Sequence, residues 1–276
     1  MKPVVELLKP NIIRRFKEGR GEGHGKYYKP FLKVQDVPSK GRVHRRPSIT
    51  HGRIVHLLSD LELAAFLLFD WSEKVVDIRE QFPLDPEKTL EISERVGIKH
   101  PAYKGVFQVM TTDLLIDLEQ EGIITTHAVA VKYAKDLENK RVIEKLELER
   151  NFWESQGFSW FIFTEQEVPK TLIQNIKWLI PHLYNFELDQ QNQQLVFSEI
   201  WKALQTYPEA KIAHVMSLLD ENKGVKRGTY LLYLRHLLAQ QAFYWNMSNI
   251  NHRSLRSNQI QASEHWLKGK TAYVYA

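Results

Sequence analysis

The strongest constraint on the fold is a change of element type near residue 168. Before it, short apolar runs of strand character alternate with helical stretches. "SDLELAAFLLFDW" reads as a helix starting at Ser59, "VVDIREQFPL" as a strand ending by Pro83, and "LEISERVG" as a short helix stopped at Gly97. "VFQVMTTDLLIDL" and "ITTHAVAVKYA" read as two strands, "LENKRVIEKLELERNFWESQG" as a long charged helix, and "FSWFIFTE" as another buried strand. Such alternation predicts an α/β domain over residues 1–168. After it, "KTLIQNIKWLI" reads as a helix and "FSEIWKALQTY", "EAKIAHVMSLLDENKG" and "KRGTYLLYLRHLLAQQAFYWN" as three amphipathic helices, followed by a polar tail with room for strands. That pattern fits a small winged-helix-like module over residues 169–276.

Composition narrows the function classes. Of 276 residues, 43% are hydrophobic and 26% charged, enough for a packed core and against disorder. There is no cysteine, which excludes disulfides, thiolate zinc sites and cysteine nucleophiles and suits a reducing cytosol. Runs such as "AAFLLF" are too short to span a bilayer, and the charged N-terminal stretch does not read as a secretory signal. A helix over "VVELLKPNIIRRFKE" is expected, interrupted at Pro10.

The net charge of +5 is unevenly spread. Residues 14–53 hold "RRFKEGRGEGHGKYYKP" and "KGRVHRRPSITHGR" with few acids between them. Such Gly-interrupted basic segments can track a phosphate backbone, with Arg42, His44, Arg45, Arg46 and Arg53 as the contacts, or form an ordinary solvated loop. "GRGEGHGK" lacks the spacing and preceding strand of a phosphate-binding loop, so nucleotide binding is rejected. His24, His44, His51, His56 and His100 show no zinc-site spacing; phosphate contact or packing explains them better. Lys226, Arg227 and Arg235 lie on a helix that reads either as a DNA-recognition element or as a partner-docking one.

Lys132 ends the apolar run "HAVAVKY", and a lysine there needs a partner. The strands on either side of "EQEG" form a hairpin with its midpoint between Gly122 and Ile123. That symmetry sets Asp113 beside Lys132 at the open end. The pair is either a cross-strand salt bridge or part of a phosphodiester-cleaving site, where a carboxylate holds a divalent ion and the ammonium offsets negative charge. A further acid is available at Glu62. "SDLE" also matches the capping box, in which the glutamate caps its own helix, so Glu62 has two competing roles.

Taken together, "GRVHRRPSITHGRIVHLLSDLELAAFLLFDW", "VVDIREQFPL", "GIKHPAYKGVFQVMTTDLLIDL", "AVAVKYA" and "EKLELERNFWESQGFSWFIFTEQE" resemble TnsA, the endonuclease subunit of heteromeric cut-and-paste transposases. The resemblance runs in order over about residues 10–180. It implies a restriction-endonuclease-like N-terminal catalytic domain and a smaller, mainly helical, winged-helix-like C-terminal domain. It implies cleavage of the 5′ strands at transposon ends with Mg²⁺ or Mn²⁺, working on double-stranded DNA beside a TnsB-like transposase and a TnsC-like ATPase regulator. The setting would be the bacterial cytoplasm, in a nucleoid-associated complex without a membrane. By resemblance, Glu62, Asp113 and Lys132 are catalytic, and Glu62, Asp113 and the Val131 carbonyl hold the metal.

Ala130 departs from the family pattern, which has a polar residue two before the lysine; a methyl group cannot ligate a metal. Glu149, on the following helix, is a supporting acid or part of a solvated face. Two rival functions stay open: another nuclease of this fold acting in repair or restriction, and a non-catalytic DNA-binding scaffold with a decayed site.

Overall fold

The computed structural model describes residues 8–37, 41–184 and 190–268. The chain divides into two compact units, residues 1–168 and 169–276. The first is mixed α/β. It contains α1 (Pro10–Lys17), the hairpin β1 (His44–Pro47) and β2 (Ile54–Leu57), α2 (Asp60–Asp70), β3 (Val75–Pro83) and α3 (Pro86–Arg95). A small hairpin follows, β4 (Ala102–Tyr103) and β5 (Val106–Phe107), then β6 (Thr111–Gln120), β7 (Ile123–Val131), α4 (Lys140–Glu154) and β8 (Ser159–Phe163). The helix expected to be interrupted at Pro10 instead begins there: proline takes the first helical position, where its missing N–H costs nothing. The part of that expectation covering residues 1–7 lies outside the described residues.

The main sheet has the order β3-β6-β7-β8, antiparallel except for the parallel pair β7–β8. Parallel neighbours need a crossover, and α4 supplies it. Leu115 and Ala128 pack with Leu84, Ile92, Leu148, Phe152 and Trp153, which places α3 and α4 on one face. Trp160 joins that cluster, so Phe163, three residues on, faces the other side, where its ring meets Phe69 of α2 at 6.3 Å. Helix α2 is buried along most of its length, from Leu61 to Leu67, because it lies on the sheet with β2 against it as well.

The hairpin register corrects the sequence reading. Glu121 and Gly122 form a two-residue turn with φ of 54° and 79°, the left-handed pair that a tight hairpin of this twist requires. Pairing runs from Gln120–Ile123 to Leu114–Val129. Carried one step further, it sets Asp113 opposite Ala130, not Lys132. Asp113 and Lys132 therefore meet by another route.

That route is a matched irregularity in two strands. Pairing of β3 with β6 passes from Glu80–Leu114 to Phe82–Thr112, with Gln81 and Asp113 between. Gln81 has φ of 50°, a left-handed conformation that non-glycine residues seldom adopt. Face alternation slips at the same level: Leu115 and Thr112, three apart, both reach α4, through the core cluster and through Glu149 respectively. The N-terminal segment braces this break. Tyr28 Oη donates to the Glu80 carbonyl (3.0 Å) and Phe31 N to the Gln81 carbonyl (3.3 Å). Gly21, at φ of 90°, lies so close to Pro83 that an added Cβ would fall 2.2 Å from Pro83 Cγ. "GRGEGHGK" is thus packed along β3 and is not a free basic arm.

The second unit contains α5 (Lys170–Leu179), α6 (Pro181–Tyr184), α7 (Gln190–Thr206), α8 (Ile212–Lys223), α9 (Thr229–Ala239), the two-stranded pair β9 (Phe243–Tyr244) and β10 (Gln261–Ala262), and α10 (Glu264–Leu267). Asp220 caps α9, accepting from Gly228 N and Tyr230 N. Buried Asn175 holds the chain after β9, donating to the Met247 and Ile250 carbonyls at 2.8 Å. Arg235 turns inward: its guanidinium lies 4.8 Å from the Trp178 ring centre and donates to the Trp178 carbonyl, which corrects its reading as a phosphate contact. No helix among the described residues is long and apolar enough to cross a membrane.

Candidate active site

The site is assembled at the break between β3 and β6, from α2, β7 and α4. Lys132 follows β7, and its backbone N donates to the Phe163 carbonyl of β8 at 3.0 Å, which fixes where its side chain starts. Its Nζ folds back to Asp113 Oδ2 (2.6 Å) and to the Val131 carbonyl (2.9 Å). Val131 N also donates to Asp113 Oδ2 at 2.7 Å, so one carboxylate oxygen accepts from both the ammonium and the backbone.

Glu62 is buried in the first turn of α2. Ser59 Oγ accepts from Glu62 N (3.0 Å), and Glu62 Oε2 accepts from Leu58 N (2.9 Å). The two roles read from "SDLE" therefore coexist: the helix is capped, and the same carboxylate points into the site. Its return bond goes to Leu58, one residue before the N-cap, which differs from the usual capping box. Burial, and then the Asp113 charge, push the Glu62 carboxyl up to about 7, against an ordinary value of 4.5.

Glu149 turns inward from α4, not outward onto a solvated face. Thr112 Oγ1 donates to Glu149 Oε1 at 2.8 Å and accepts from Trp153 Nε1 at 2.7 Å. Burial and the Asp113 charge push the Glu149 carboxyl up to about 7 as well. Burial opposes the charge on Lys132, but Asp113, Glu149 and Glu62 outweigh it and hold its pKa above the ordinary lysine value. Three carboxylates thus share one ammonium. Ala130 is fully buried and offers no ligand.

One residue of the site escaped the sequence reading. Gln81 is buried; its Nε2 donates to Glu62 Oε2 (3.3 Å) and its Oε1 accepts from Thr111 Oγ1 (3.2 Å). "REQFP" gives no local sign of this, because a polar residue in a strand predicts exposure. The left-handed φ that turns Gln81 toward α2 falls at the break in pairing between Glu80 and Phe82.

The expected DNA contacts divide. Arg42, Arg45 and Arg46 are exposed, and His44 bonds Asp60 at 2.7 Å. Arg53 is removed from that set. Its guanidinium makes a two-pronged ion pair with buried Glu80 (2.9 and 2.6 Å) and donates to the Ile78 and Gly25 carbonyls, so four of its five N–H groups are held within the fold.

Among the described residues, the three acidic or imidazole side chains whose ligand atoms lie within 4.8 Å of one another are His24, Asp77 and Asp117. Arg79 already occupies the place of a cation there. Its Nη2 lies 2.7 Å from both Asp117 oxygens, and its Nε is 3.4 Å from Asp77.

The family model described as TnsA-like endonuclease N terminal matches residues 72–165, which include Asp113, Lys132 and Glu149 but begin after Glu62. The model described as TnsA endonuclease C terminal matches residues 167–247. The chain is 43% identical over 249 residues to the transposon Tn7 transposition protein TnsA of Escherichia coli, an alignment covering 90% of this chain and 88% of that protein. With that identity over nearly the whole length of both chains, and a lysine–carboxylate site where α2, β6, β7 and α4 converge, this chain belongs to the TnsA family of transposition endonucleases.

Proposed function

We propose that this DNA endonuclease cuts the 5′ strands at transposon ends during cut-and-paste transposition, with Glu62, Asp113 and Lys132 as its catalytic groups. The observation that carries the reading is the convergence of Glu62, Asp113 and Glu149 on Lys132. Two buried acids, Glu62 and Glu149, and the half-buried Asp113 around one ammonium leave negative charge that a small divalent cation neutralises, and oxygen ligands suit Mg²⁺ or Mn²⁺. Glu62, Asp113 and the Val131 carbonyl would hold the ion, and Lys132 Nζ, now on that carbonyl, would move toward the scissile phosphate. A divalent ion bound there polarises the phosphate and makes water acidic enough to attack it. Lys132 offsets the charge that develops on the phosphate oxygens, and Glu149 holds Thr112 beside Asp113 as a supporting acid.

The mixed sheet with flanking helices fits a restriction-endonuclease-like catalytic domain over residues 1–168. The helices and the short β9–β10 pair fit a winged-helix-like domain over residues 169–276. Partners would be transposon-end duplex DNA, a TnsB-like transposase that cuts the other strands, and a TnsC-like ATPase bound largely through the second domain, all in the bacterial cytoplasm. Reconstituted with its transposase and ATPase on end-bearing DNA, Lys132→Ala should abolish 5′ cleavage and leave 3′ cleavage. Cleavage at both strands would sink the assignment and favour the scaffold reading to which Ala130 lends its one argument.

A further inference from the structure

A cleft of about 480 Å³ opens from the site between the start of α4 and the segment that enters β6. Lys132 and Glu149 line it, so it is continuous with the catalytic groups. Lys145 lines it from α4 and is exposed, and no carboxylate among the described residues pairs with it. Ala102, at the base of the β4–β5 hairpin, lines the opposite wall.

The hairpin itself is short and its tip faces solvent. It is two residues per strand, with Lys104 and Gly105 both left-handed (φ 51° and 78°) in a tight turn. Its tip carries Tyr103, 58% exposed. Two ammonium groups lie by that ring, Lys9 at 4.9 Å and Lys104 at 5.7 Å from its centre. The base, in contrast, is anchored. Buried His100 meets Phe107 edge-on at 5.4 Å and bonds Thr89 at 3.1 Å, and Arg141 of α4 donates to the Lys99 carbonyl at 2.7 Å. A rigid, basic, aromatic-tipped projection therefore stands beside the opening of a catalytic cleft.

We propose that the β4–β5 hairpin and the first turns of α4 grip the DNA duplex next to the cut, with Lys104 and Lys145 on backbone phosphates and the Tyr103 ring against a sugar or base. The proposal rests on the endonuclease reading of the neighbouring carboxylates. DNA fits better than an acidic protein segment because the cleft runs directly into those carboxylates, where only a scissile phosphate has a role.

The test uses the full chain, a labelled random-sequence duplex and no divalent metal, with affinity measured by fluorescence anisotropy across a salt series. Each phosphate contact contributes roughly 0.9 to the slope of log affinity against log salt, so Lys104→Gln with Lys145→Gln should lower that slope by about 2. Tyr103→Ala should weaken binding with little change in slope, since it removes contact and no charge. Melting temperatures of all variants should match the parent. An unchanged slope and affinity in the double lysine variant, or no duplex binding by the parent at the lowest salt, overturns the proposal. Metal-dependent cleavage by the parent is scored separately, on end-bearing DNA reconstituted with its transposase and ATPase. A parent that never cuts while the variants lose slope refutes the nuclease reading and leaves the grip standing.

Discussion

Gln81 Nε2 reaches Glu62 Oε2 at 3.3 Å from a backbone held at φ of 50°, so a strained residue in one strand orients a carboxylate on the helix that crosses it. Gln81→Gly removes that amide while relieving the left-handed backbone, which separates orientation from folding. The expected result is a melting temperature close to the parent and cleavage reduced roughly 10- to 100-fold, with a higher magnesium requirement, as for loss of groups that hold metal ligands. Unchanged magnesium dependence would show that Glu62 needs no such support.

Glu62→Gln tests the two roles of one side chain. A neutral amide oxygen can still accept from Leu58 N, and burying it avoids burying a charge, so the melting temperature should hold or rise. Cleavage should be lost, because a hard cation binds a neutral amide poorly. Ser59→Ala should do the reverse, costing about 1 kcal/mol through loss of the cap while cutting persists below the new melting point. If Glu62→Gln cuts near the parent rate with metal present, Glu62 is a cap alone.

Acidity gives a sign that can be checked. Glu149 ionises at about 7 in the folded chain against an ordinary 4.5, with burial the main cause and Asp113 the second. Its folded pKa is raised, so between these values the unfolded chain has released a proton that the folded chain retains. Stability then falls as pH rises from about 4.5 to about 7, and levels off above. In metal-free buffer, Glu149→Gln should flatten the fall of melting temperature over that window. Parallel curves for parent and variant would contradict the assignment.

Arg53 provides a contrast between fold and DNA contact. Glu80 has no exposed surface and takes both of its charged bonds from Arg53. Removing one partner of such a pair strands a buried charge, so Arg53→Ala should destabilise the first unit by about 3–5 kcal/mol by chemical denaturation. Arg45→Ala with Arg46→Ala, at exposed positions, should leave stability within about 0.5 kcal/mol. A stable Arg53→Ala protein with weakened DNA binding would restore Arg53 to the DNA-facing set.

Metal removal should abolish cutting while duplex binding survives. Magnesium or manganese should restore activity, and calcium should permit binding without efficient cleavage, because water activation is the demand placed on the ion. Strand cleavage that continues in excess chelator would exclude this chemistry.

The sequence by itself determined the local elements and the chemical identity of the site. Periodicity marked α2, β3, β7 and α4, the Ser59 cap marked where α2 begins, and the family pattern marked Glu62, Asp113 and Lys132. These are local properties: side-chain spacing and capping are set by a few neighbouring residues. What only the tertiary structure decided is how the groups meet. Hairpin symmetry read from the sequence paired Asp113 with Lys132, whereas the two-residue turn at Glu121–Gly122 shifts the register by two and the ladder ends at Leu114 opposite Val129. The contact comes instead from a side chain folding back past the end of β7 and from a slip in β6 matched by left-handed Gln81 in β3. Burial decided the rest. Arg53, read as a DNA contact, and Arg235, read as either a DNA or a partner contact, turned inward to Glu80 and Trp178, while Glu149, on a charged helix, turned into the site. A charge's partner and its depth below the surface depend on elements distant in the chain, and no local pattern encodes them.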